Sequence, residues 1–186
     1  MSNVVAIVSS PREKGNSGTA VNAILDGAMG LSTNIIQYYN LNSIRSFNGC
    51  DACGQCAEQK KCVLQDGLTG ILNSLEKADV VIFSTPVYFG GPSSQFKTLL
   101  DRMYSFYVQG EGSPVRGKKA ITVMSGSAPE EVIAQASAHL SGNLKALGFE
   151  ILDEVIFSDM GGQKCAKDDR EFLDRMRGIG LHFRNT

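Results

Sequence analysis

The sequence lacks a marked excess of charge of either sign: 18 Lys and Arg residues nearly balance 19 Asp and Glu residues, giving a net charge of −1. It therefore offers no basic surface of the kind that attracts nucleic acids or anionic membranes. No apolar run approaches the ~20 residues of a membrane span, and residues 1–10 contain neither a basic n-region nor an A-x-A cleavage site. These absences predict a cytoplasmic protein without nucleic-acid or membrane partners, in a compartment where thiols stay reduced.

Several familiar catalytic and nucleotide-binding motifs are also missing. The chain has no Ser/His/Asp set, paired-carboxylate site or H-E-x-x-H string, and its two histidines, His139 and His182, fall on predicted helices away from the candidate loops. No G-x-G-x-x-G follows the first apolar run, and the second run ends in Tyr39-Asn40 without an acid for a ribose hydroxyl. The string G-SPVR-G-K-K over 112–119 ends in Lys and precedes a strand, so it does not fit a phosphate-binding P-loop.

What remains is a regular alternation of apolar runs and helical patterns, which predicts an α/β fold with a parallel sheet covered on both faces. Helical stripes occupy 21–28, 68–75, 96–103, 133–147 and 172–179, and Gly30 and Gly148 stand at expected helix ends. Five strands suit the flavodoxin-like order 2-1-3-4-5 in a three-layer doubly wound sandwich, as one domain over 1–186. The predicted strands are Val4–Ser9, Asn34–Tyr39, Val80–Ser84, Ala120–Ser125 and Ile151–Phe157.

A long irregular segment, Leu41–Asp66, follows the second predicted strand and carries four cysteines in the spacing C-x2-C-x2-C-x5-C. Loops of this length inside a domain are usually functional. Thiolates this close together suit a [4Fe–4S] cluster. Structural zinc sites usually split their ligands into two separated pairs, yet zinc and redox-active thiols without a metal remain open alternatives. The candidate metal ligands are Cys50, Cys53, Cys56 and Cys62, while Cys165 has no partner in the sequence.

A short polar loop follows the first predicted strand and precedes the first helix. A helix N-terminus with free N–H groups, hydroxyl groups and a guanidinium group can bind a phosphate. The same residues can also simply cap the helix and form a solvated turn. The candidate ligands here are Ser10, Pro11, Arg12, Asn16, Ser17 and Thr19.

Two further loops follow the third and fourth predicted strands, at the same edge of the sheet. The aromatic pair Tyr88-Phe89 before Gly90 allows close approach to a flat ligand, although the segment also reads as a helix entry. The small polar residues after the fourth strand are candidates because of their position, since three loops at one edge of the sheet are expected to converge on one crevice. The candidates in these loops are Pro86, Val87, Tyr88, Phe89, Gly90, Ser125 and Gly126.

The motif SSPREKGNSGT resembles the G-S-P-R-x-x-G-N-T loop of flavodoxin-like, NADPH-dependent FMN reductases, with Ser9 where that family usually has Gly. TPVYFGGPSSQFKTLLDR resembles their second FMN loop and the helix after it, and the cysteine spacing is similar to that of the iron–sulfur flavoprotein branch. The resemblance implies FMN phosphate binding by Ser10, Arg12, Asn16 and Ser17, ring contacts from Pro86 to Gly90, and a [4Fe–4S] cluster on the four cysteines.

The function that the resemblance implies is electron transfer between that cluster and FMN, with electrons arriving from a ferredoxin-like donor and leaving to a small-molecule acceptor. The alternatives are an NAD(P)H-dependent FMN or quinone reductase without a cluster, and a cysteine-rich metal-binding or redox-sensing module. The family also implies a homodimer or homotetramer. Tyr104, Phe106 and Tyr107 are expected to form an exposed apolar patch on a monomer.

Overall fold

The computed structural model describes residues 2–12, 14–30 and 34–185. For residues 184 and 185 it describes the backbone alone. Five parallel strands form the sheet in the order β2-β1-β3-β5-β6, and the short β4 pairs antiparallel with β3. This confirms the predicted α/β fold, its five strands and their order. The strands are β1 (Asn3–Val8), β2 (Ile35–Asn40), β3 (Val80–Tyr88), β4 (Gly91–Pro92), β5 (Lys119–Gly126) and β6 (Glu150–Ser158).

Each of the five predicted helical stripes lies on a helix, and Gly30 and Gly148 stand at the C-caps of two of them. The long helices are α1 (Asn16–Met29), α3 (Thr69–Lys77), α4 (Ser94–Arg102), α6 (Glu130–Leu147) and α7 (Arg170–Leu181). Two single-turn helices are α2 (Cys56–Gln59) and α5 (Tyr104–Tyr107), and 3-10 turns occupy Leu41–Ser43, Gly110–Gly112, Ala166–Asp168 and His182–Asn185. No helix in the described part of the chain is long and apolar enough to cross a membrane.

The central strands β1, β3 and β5 are buried on both faces, which explains why they show no polar alternation, whereas the edge strands β2 and β6 are largely exposed or half-buried. Side chains such as Val4 and Ala6 pack with α1 and α7, whereas Val5 and Ile7 pack with α3, α4 and α6. Helices α1 and α7 approach so closely that a Cβ atom on Gly180 would lie 1.9 Å from the carbonyl oxygen of Ile24. The result is a three-layer arrangement with separate cores on the two faces of the sheet.

Strand β3 extends to Tyr88, four residues beyond its predicted end at Ser84. Pro86 continues the register opposite Ser125 of β5, at a level beyond the last β1 partner, so no strand there needs its missing N–H. The chain then reverses at Phe89 and Gly90, both with positive φ (50° and 78°), into β4. The segment expected to be a loop is therefore the tip of a hairpin.

Candidate functional site

Hydroxyl groups join three segments at the carboxyl edge of the sheet. The Ser93 hydroxyl at the start of α4 donates to the Ser9 hydroxyl at 2.9 Å, and the Ser9 backbone N–H donates to the carbonyl of Ser84 at 3.0 Å. The Ser17 and Ser125 hydroxyl oxygens lie 2.6 Å apart, which links the start of α1 to the end of β5. The structure thus brings the segments after β1, β3 and β5 together at the edge of the sheet where a crevice was expected, and this region is called the crevice below.

The segment between β1 and α1 leaves a helix N-terminus open. Helix α1 begins after Gly15, which provides no side-chain cap, and its first turn contains no acidic side chain. The Arg12 N–H donates to the Ser10 hydroxyl at 3.3 Å and the Gly15 N–H donates to the Arg12 carbonyl at 3.0 Å, so the loop is folded back on itself. The Arg12 side chain is exposed beside this end of α1. These features suit an anion such as a phosphate.

The other predicted ligands of this loop are already engaged within the protein. The Asn16 side-chain oxygen accepts a hydrogen bond from the Ala166 N–H at 3.0 Å, and Ser17 is buried against Ser125. Thr19 is half-buried within α1, whereas Pro11 is exposed. Glu13 lies outside the described residues. Asn16 and Ser17 therefore hold the shape of the loop, and Arg12 is the predicted ligand with a free charged end.

The β3–β4 hairpin presents two aromatic rings next to the crevice. Tyr88 is 47% exposed and Phe89 is fully exposed, whereas Pro86 is buried and Val87 half-buried. A Cβ atom added to Gly126 would lie 3.4 Å from that of Val87, so β5 and the hairpin meet closely there. Exposed aromatic side chains beside a polar crevice provide a surface on which a flat ring can stack.

Sequence reasoning missed the contribution of the β6–α7 connection to this edge. The Asp159 N–H donates to the Gly126 carbonyl at 2.9 Å, and the side chain of Asp159 is buried. The bond between Ala166 and Asn16 places the neighbouring Cys165 near the first loop, away from the other cysteines. The run Gly161-Gly162 was the only signal in the sequence for this turn, and both residues have positive φ.

The four clustered cysteines line one cavity of about 790 Å³ on the outer side of α4, α5 and α6. All four are free thiols, with Cys50 and Cys53 exposed and Cys56 and Cys62 half-buried. Burial raises the pKa of the Cys56 thiol. A backbone hydrogen bond opposes this rise, and the neighbouring thiols Cys62, Cys50 and Cys53 add to it. The other three thiols therefore lie close enough to Cys56 for their charges to influence its pKa.

Backbone reversals between the cysteines wrap the chain around the cavity. Ala52 and Gly54 flank Cys53 with φ of 56° and 73°, and Lys60 ends α2 with φ of 56°. For Ala and Lys this conformation costs roughly 1–2 kcal/mol each, so other contacts must hold it in place. Within residues 2–12, 14–30 and 34–185, no three His, Cys, Asp or Glu side chains converge as ligands of a single ion would.

Arg102 is the principal residue of this region that sequence reasoning missed. Its guanidinium is completely buried and donates to Cys62 Sγ at 3.1 Å, to the carbonyls of Asn48 and Leu64 at 2.9 and 3.1 Å, and to Asp66 Oδ2 at 2.7 Å. A signal existed, because Arg102 follows Leu99 at i+3 and so falls beside the apolar stripe of α4.

The ion pair shifts the titration of both partners. Burial tends to raise the pKa of Asp66, but hydrogen bonds from Arg102 and from the N–H groups of Asn48 and Leu68 outweigh it and hold that pKa below its usual range. Burial likewise tends to lower the pKa of Arg102, and its bonds to Asp66 and Cys62 raise it instead. Both groups therefore stay charged in the folded protein at neutral pH.

The cysteine site and the crevice lie towards opposite ends of α4. Ser93, which caps α4 by accepting from the Phe96 N–H, touches the first loop, and Arg102 at the other end touches Cys62. Their positions along the helix differ by nine residues, or about 14 Å at ~1.5 Å per residue. The cysteine segment leaves β2 at the carboxyl edge, as expected, but folds back over the helical layer.

Two expectations about this region are wrong. His139 is not remote from the candidate sites, because it lies on α6 and lines the cysteine cavity. Phe106 does not belong to the exposed aromatic patch: it is buried in the core, whereas Tyr104 and Tyr107 are 47% and 55% exposed at the same cavity. The helical turn of α5 separates their directions. His182 follows α7, with its ring nitrogen Nδ1 2.9 Å from the Gly178 carbonyl oxygen.

Curated relatives share sequence similarity with this chain. An iron–sulfur flavoprotein of Methanocaldococcus jannaschii is 37% identical over 101 residues, 53% of this chain and 50% of that protein. An iron–sulfur flavoprotein of Archaeoglobus fulgidus is 28% identical over 167 residues, 88% of this chain and 74% of that protein. The chain thus spans about half the length of the first relative and about three quarters of the second.

Solved structures share the fold. An NAD(P)H:quinone oxidoreductase from Methanothermobacter marburgensis superposes with a TM-score of 0.75 at 20% identity, over 97% of this chain and 95% of that one. At this identity the likeness supports the flavodoxin-like fold alone.

The NADPH-dependent FMN reductase family model matches residues 2–163, which include the first loop, the β3–β4 hairpin and the cysteine segment. This match confirms the predicted family. By sequence, fold and arrangement of loops, the chain belongs to the NADPH-dependent FMN reductase family, and its relatives place it in the iron–sulfur flavoprotein branch.

Proposed function

We propose that this protein is an FMN-dependent oxidoreductase in which Cys50, Cys53, Cys56 and Cys62 hold a [4Fe–4S] cluster that exchanges electrons with the flavin and a small acceptor. The observation that carries the proposal is the convergence of these four free thiols on one cavity in a chain of an FMN-binding family. We further propose that residues 1–186 act as one FMN-binding domain with the cysteine segment 41–66 as an insertion.

The crevice at the carboxyl edge has the features that FMN requires. The open N-terminus of α1 and the exposed Arg12 provide a positive site for the phosphate. The hydroxyls of Ser10, Ser17 and Ser125 are buried nearby and keep the loops together. When bound, FMN would supply one- and two-electron chemistry, and Tyr88 and Phe89 would cover one face of its ring and limit access of water.

The cysteine cavity suits a cluster better than a single ion. In a cubane each thiolate binds a different iron, so the four sulfurs lie further apart than the ligands of one tetrahedral zinc. The four thiols line one cavity of about 790 Å³, which leaves room for a group larger than one ion. The half-buried Cys56 and Cys62 and the apolar wall of Leu100 and Leu147 provide partial shielding from water.

A second candidate function is NAD(P)H-dependent reduction of a quinone or of FMN, without a cluster. It is favoured by the description of the matching family as NADPH-dependent. In that case the electron donor is NAD(P)H instead of a ferredoxin-like protein. A metal-binding or redox-sensing module is a third reading of the cysteine segment, and it predicts zinc or disulfides in place of iron.

Anaerobic purification followed by iron, sulfide and flavin analysis tests the proposal. We expect about one FMN, four irons and four sulfides per chain. Cys53→Ser should remove the iron and leave FMN bound, because Cys53 lines the cavity away from the crevice. Cys165→Ser is the matched control and should keep its iron. Protein with FMN but without iron or sulfide would refute the cluster and favour the reductase, and zinc in its place would favour the third reading.

A further inference from the structure

Arg102 carries a buried charge that the FMN site does not use. It is the last residue of α4, its side chain is 0% exposed, and its hydrogen bonds reach Cys62, Asp66 and the carbonyls of Asn48 and Leu64. A buried guanidinium is costly to desolvate and contributes little net stability, so its value lies in the geometry that it imposes. Every one of these partners belongs to the cysteine-bearing segment.

The positions of these partners close the base of the segment. Asn48 lies two residues before Cys50, and Leu64 lies two residues after Cys62. Because both carbonyls accept from one rigid, planar group, Arg102 fixes the distance between the two ends of the stretch that carries all four thiols. Closing a loop costs conformational entropy, and this contact joins the two ends of the segment without a metal.

The bond to Cys62 adds a second effect. Nε of Arg102 donates to Cys62 Sγ at 3.1 Å, and the guanidinium that makes this bond is shielded from water. Hydrogen bonds to ligand sulfurs and nearby positive charge favour the more negative state of an iron–sulfur cluster. One-electron reduction by the donor would make a cluster held here more negative, so the hydrogen bond from Arg102 to Cys62 would stabilise the reduced form relative to the oxidised one.

We propose that Arg102 is a positioning residue of the cysteine site, which fixes Cys62 at the cavity and raises the reduction potential of the cluster held there. This inference rests on the proposed function. The opposite end of α4 is capped by Ser93, which contacts the first loop through Ser9. One helix therefore anchors both proposed centres, and the change at Arg102 should affect only one of them.

Redox titration of the holoprotein, followed by EPR for the cluster and by absorbance for FMN, tests the second effect. Arg102→Gln should lower the cluster potential by at least a tenfold change in its one-electron equilibrium, about 59 mV, and leave the FMN potential unchanged. Lys97→Gln is the matched control. Lys97 lies on the same helix, carries the same charge and lines the same cavity, but it is exposed and pairs with Asp101. It should shift the cluster potential by much less.

Arg102→Lys separates the effect of the positive charge from that of the hydrogen-bond geometry. It also replaces Arg102→Gln if Arg102→Gln does not fold. Lysine keeps the charge but cannot span the four acceptors, so we expect a smaller fall in potential than in Arg102→Gln. An unchanged potential in either variant, or an equal fall in Lys97→Gln, would overturn the tuning role. If neither variant folds, pulsed EPR of wild-type protein labelled with 15N-arginine should show a nitrogen coupling to the reduced cluster, and its absence would overturn the same role.

Failure of the proposed function is distinguishable from failure of this inference. Wild-type protein without iron and sulfide refutes the cluster, and with it the effect on potential. The positioning role is then decided by hydrogen–deuterium exchange on the protein as isolated. Arg102→Gln or Arg102→Lys should increase exchange within residues 48–66 and leave β1, β3 and β5 protected, whereas wild-type exchange in that segment would overturn the positioning role as well.

Discussion

Removing one partner of the buried ion pair between Arg102 and Asp66 should cost more stability than removing one partner of the exposed pair Lys97–Asp101 on the same helix. Removing one partner of a buried pair leaves the other charge without compensation and costs roughly 3–5 kcal/mol. Here Arg102 keeps three other acceptors, and Asp66 is 11% exposed, so Asp66→Asn should cost about 3 kcal/mol, at the lower end. For a chain of this length that loss lowers Tm by about 6–12 °C.

Urea denaturation at neutral pH measures the effect directly, on protein without cluster so that metal binding does not contribute. Asp101→Asn is the matched control, since it also removes a carboxylate partner of an α4 cation, but from an exposed i,i+4 pair with Lys97. That pair should contribute less than about 0.5 kcal/mol. A loss below about 1 kcal/mol for Asp66→Asn, or equal losses for the two variants, would refute the reasoning.

The same pair gives a pH dependence with a definite sign. The folded protein holds the pKa of Asp66 below its ordinary value, so the unfolded chain binds its proton more readily. The stabilisation is complete above the unfolded pKa of about 3.9, and it is lost as pH falls through the lower value of the folded state. The difference between the urea midpoints of wild type and Asp66→Asn should therefore become smaller as the pH falls from 7 to 3.

Three further predictions concern the flavin crevice and assembly. Arg12→Ala should weaken FMN binding at least about tenfold in a titration, because a charge-assisted hydrogen bond to phosphate contributes about 1.5–3 kcal/mol. The control Arg177→Ala, at an exposed arginine, should leave the affinity unchanged. Equal affinities of the two variants would place the phosphate elsewhere. Phe89→Gly should stabilise the FMN-free protein by about 1 kcal/mol, since Phe at φ 50° is strained, yet weaken FMN binding through the lost ring contact; unchanged stability would contradict the strain. Light scattering should show particles larger than 20.0 kDa, because Tyr104 and Tyr107 expose an apolar patch, and a monomer at micromolar concentration would contradict this.

Local patterns were enough to predict the elements of this fold. Apolar runs marked all five parallel strands, and they are continuous in β1, β3 and β5 because these strands are buried on both faces. Stripes at helical spacing marked all five long helices, because each helix buries one face. Strict alternation of strands and helices then left few topologies, and the flavodoxin-like order was among them. The prediction failed at the end of β3, where Pro86 and the glycines after it suggested a loop and the chain instead forms a hairpin.

The candidate site was predictable where its residues are adjacent in sequence and not where they are distant. The spacing of the four cysteines and the loop before α1 identified both proposed centres, since each is built from a short continuous stretch. Arg102 was missed because its importance depends on partners 36 to 54 residues away along the chain. His139 was misjudged for the same reason, as α6 reaches the cysteine cavity only through packing.

The sequence by itself therefore determined the strand and helix pattern, the family and the residue types available for FMN and metal binding. Only the tertiary structure decided that the cysteine segment folds back over α4, α5 and α6, and that a buried guanidinium joins its two ends. The physical reason is that periodicity reports how one element is solvated, which is local. A buried charge is tolerated only when particular partners from distant parts of the chain satisfy it, and those partners are brought together by folding.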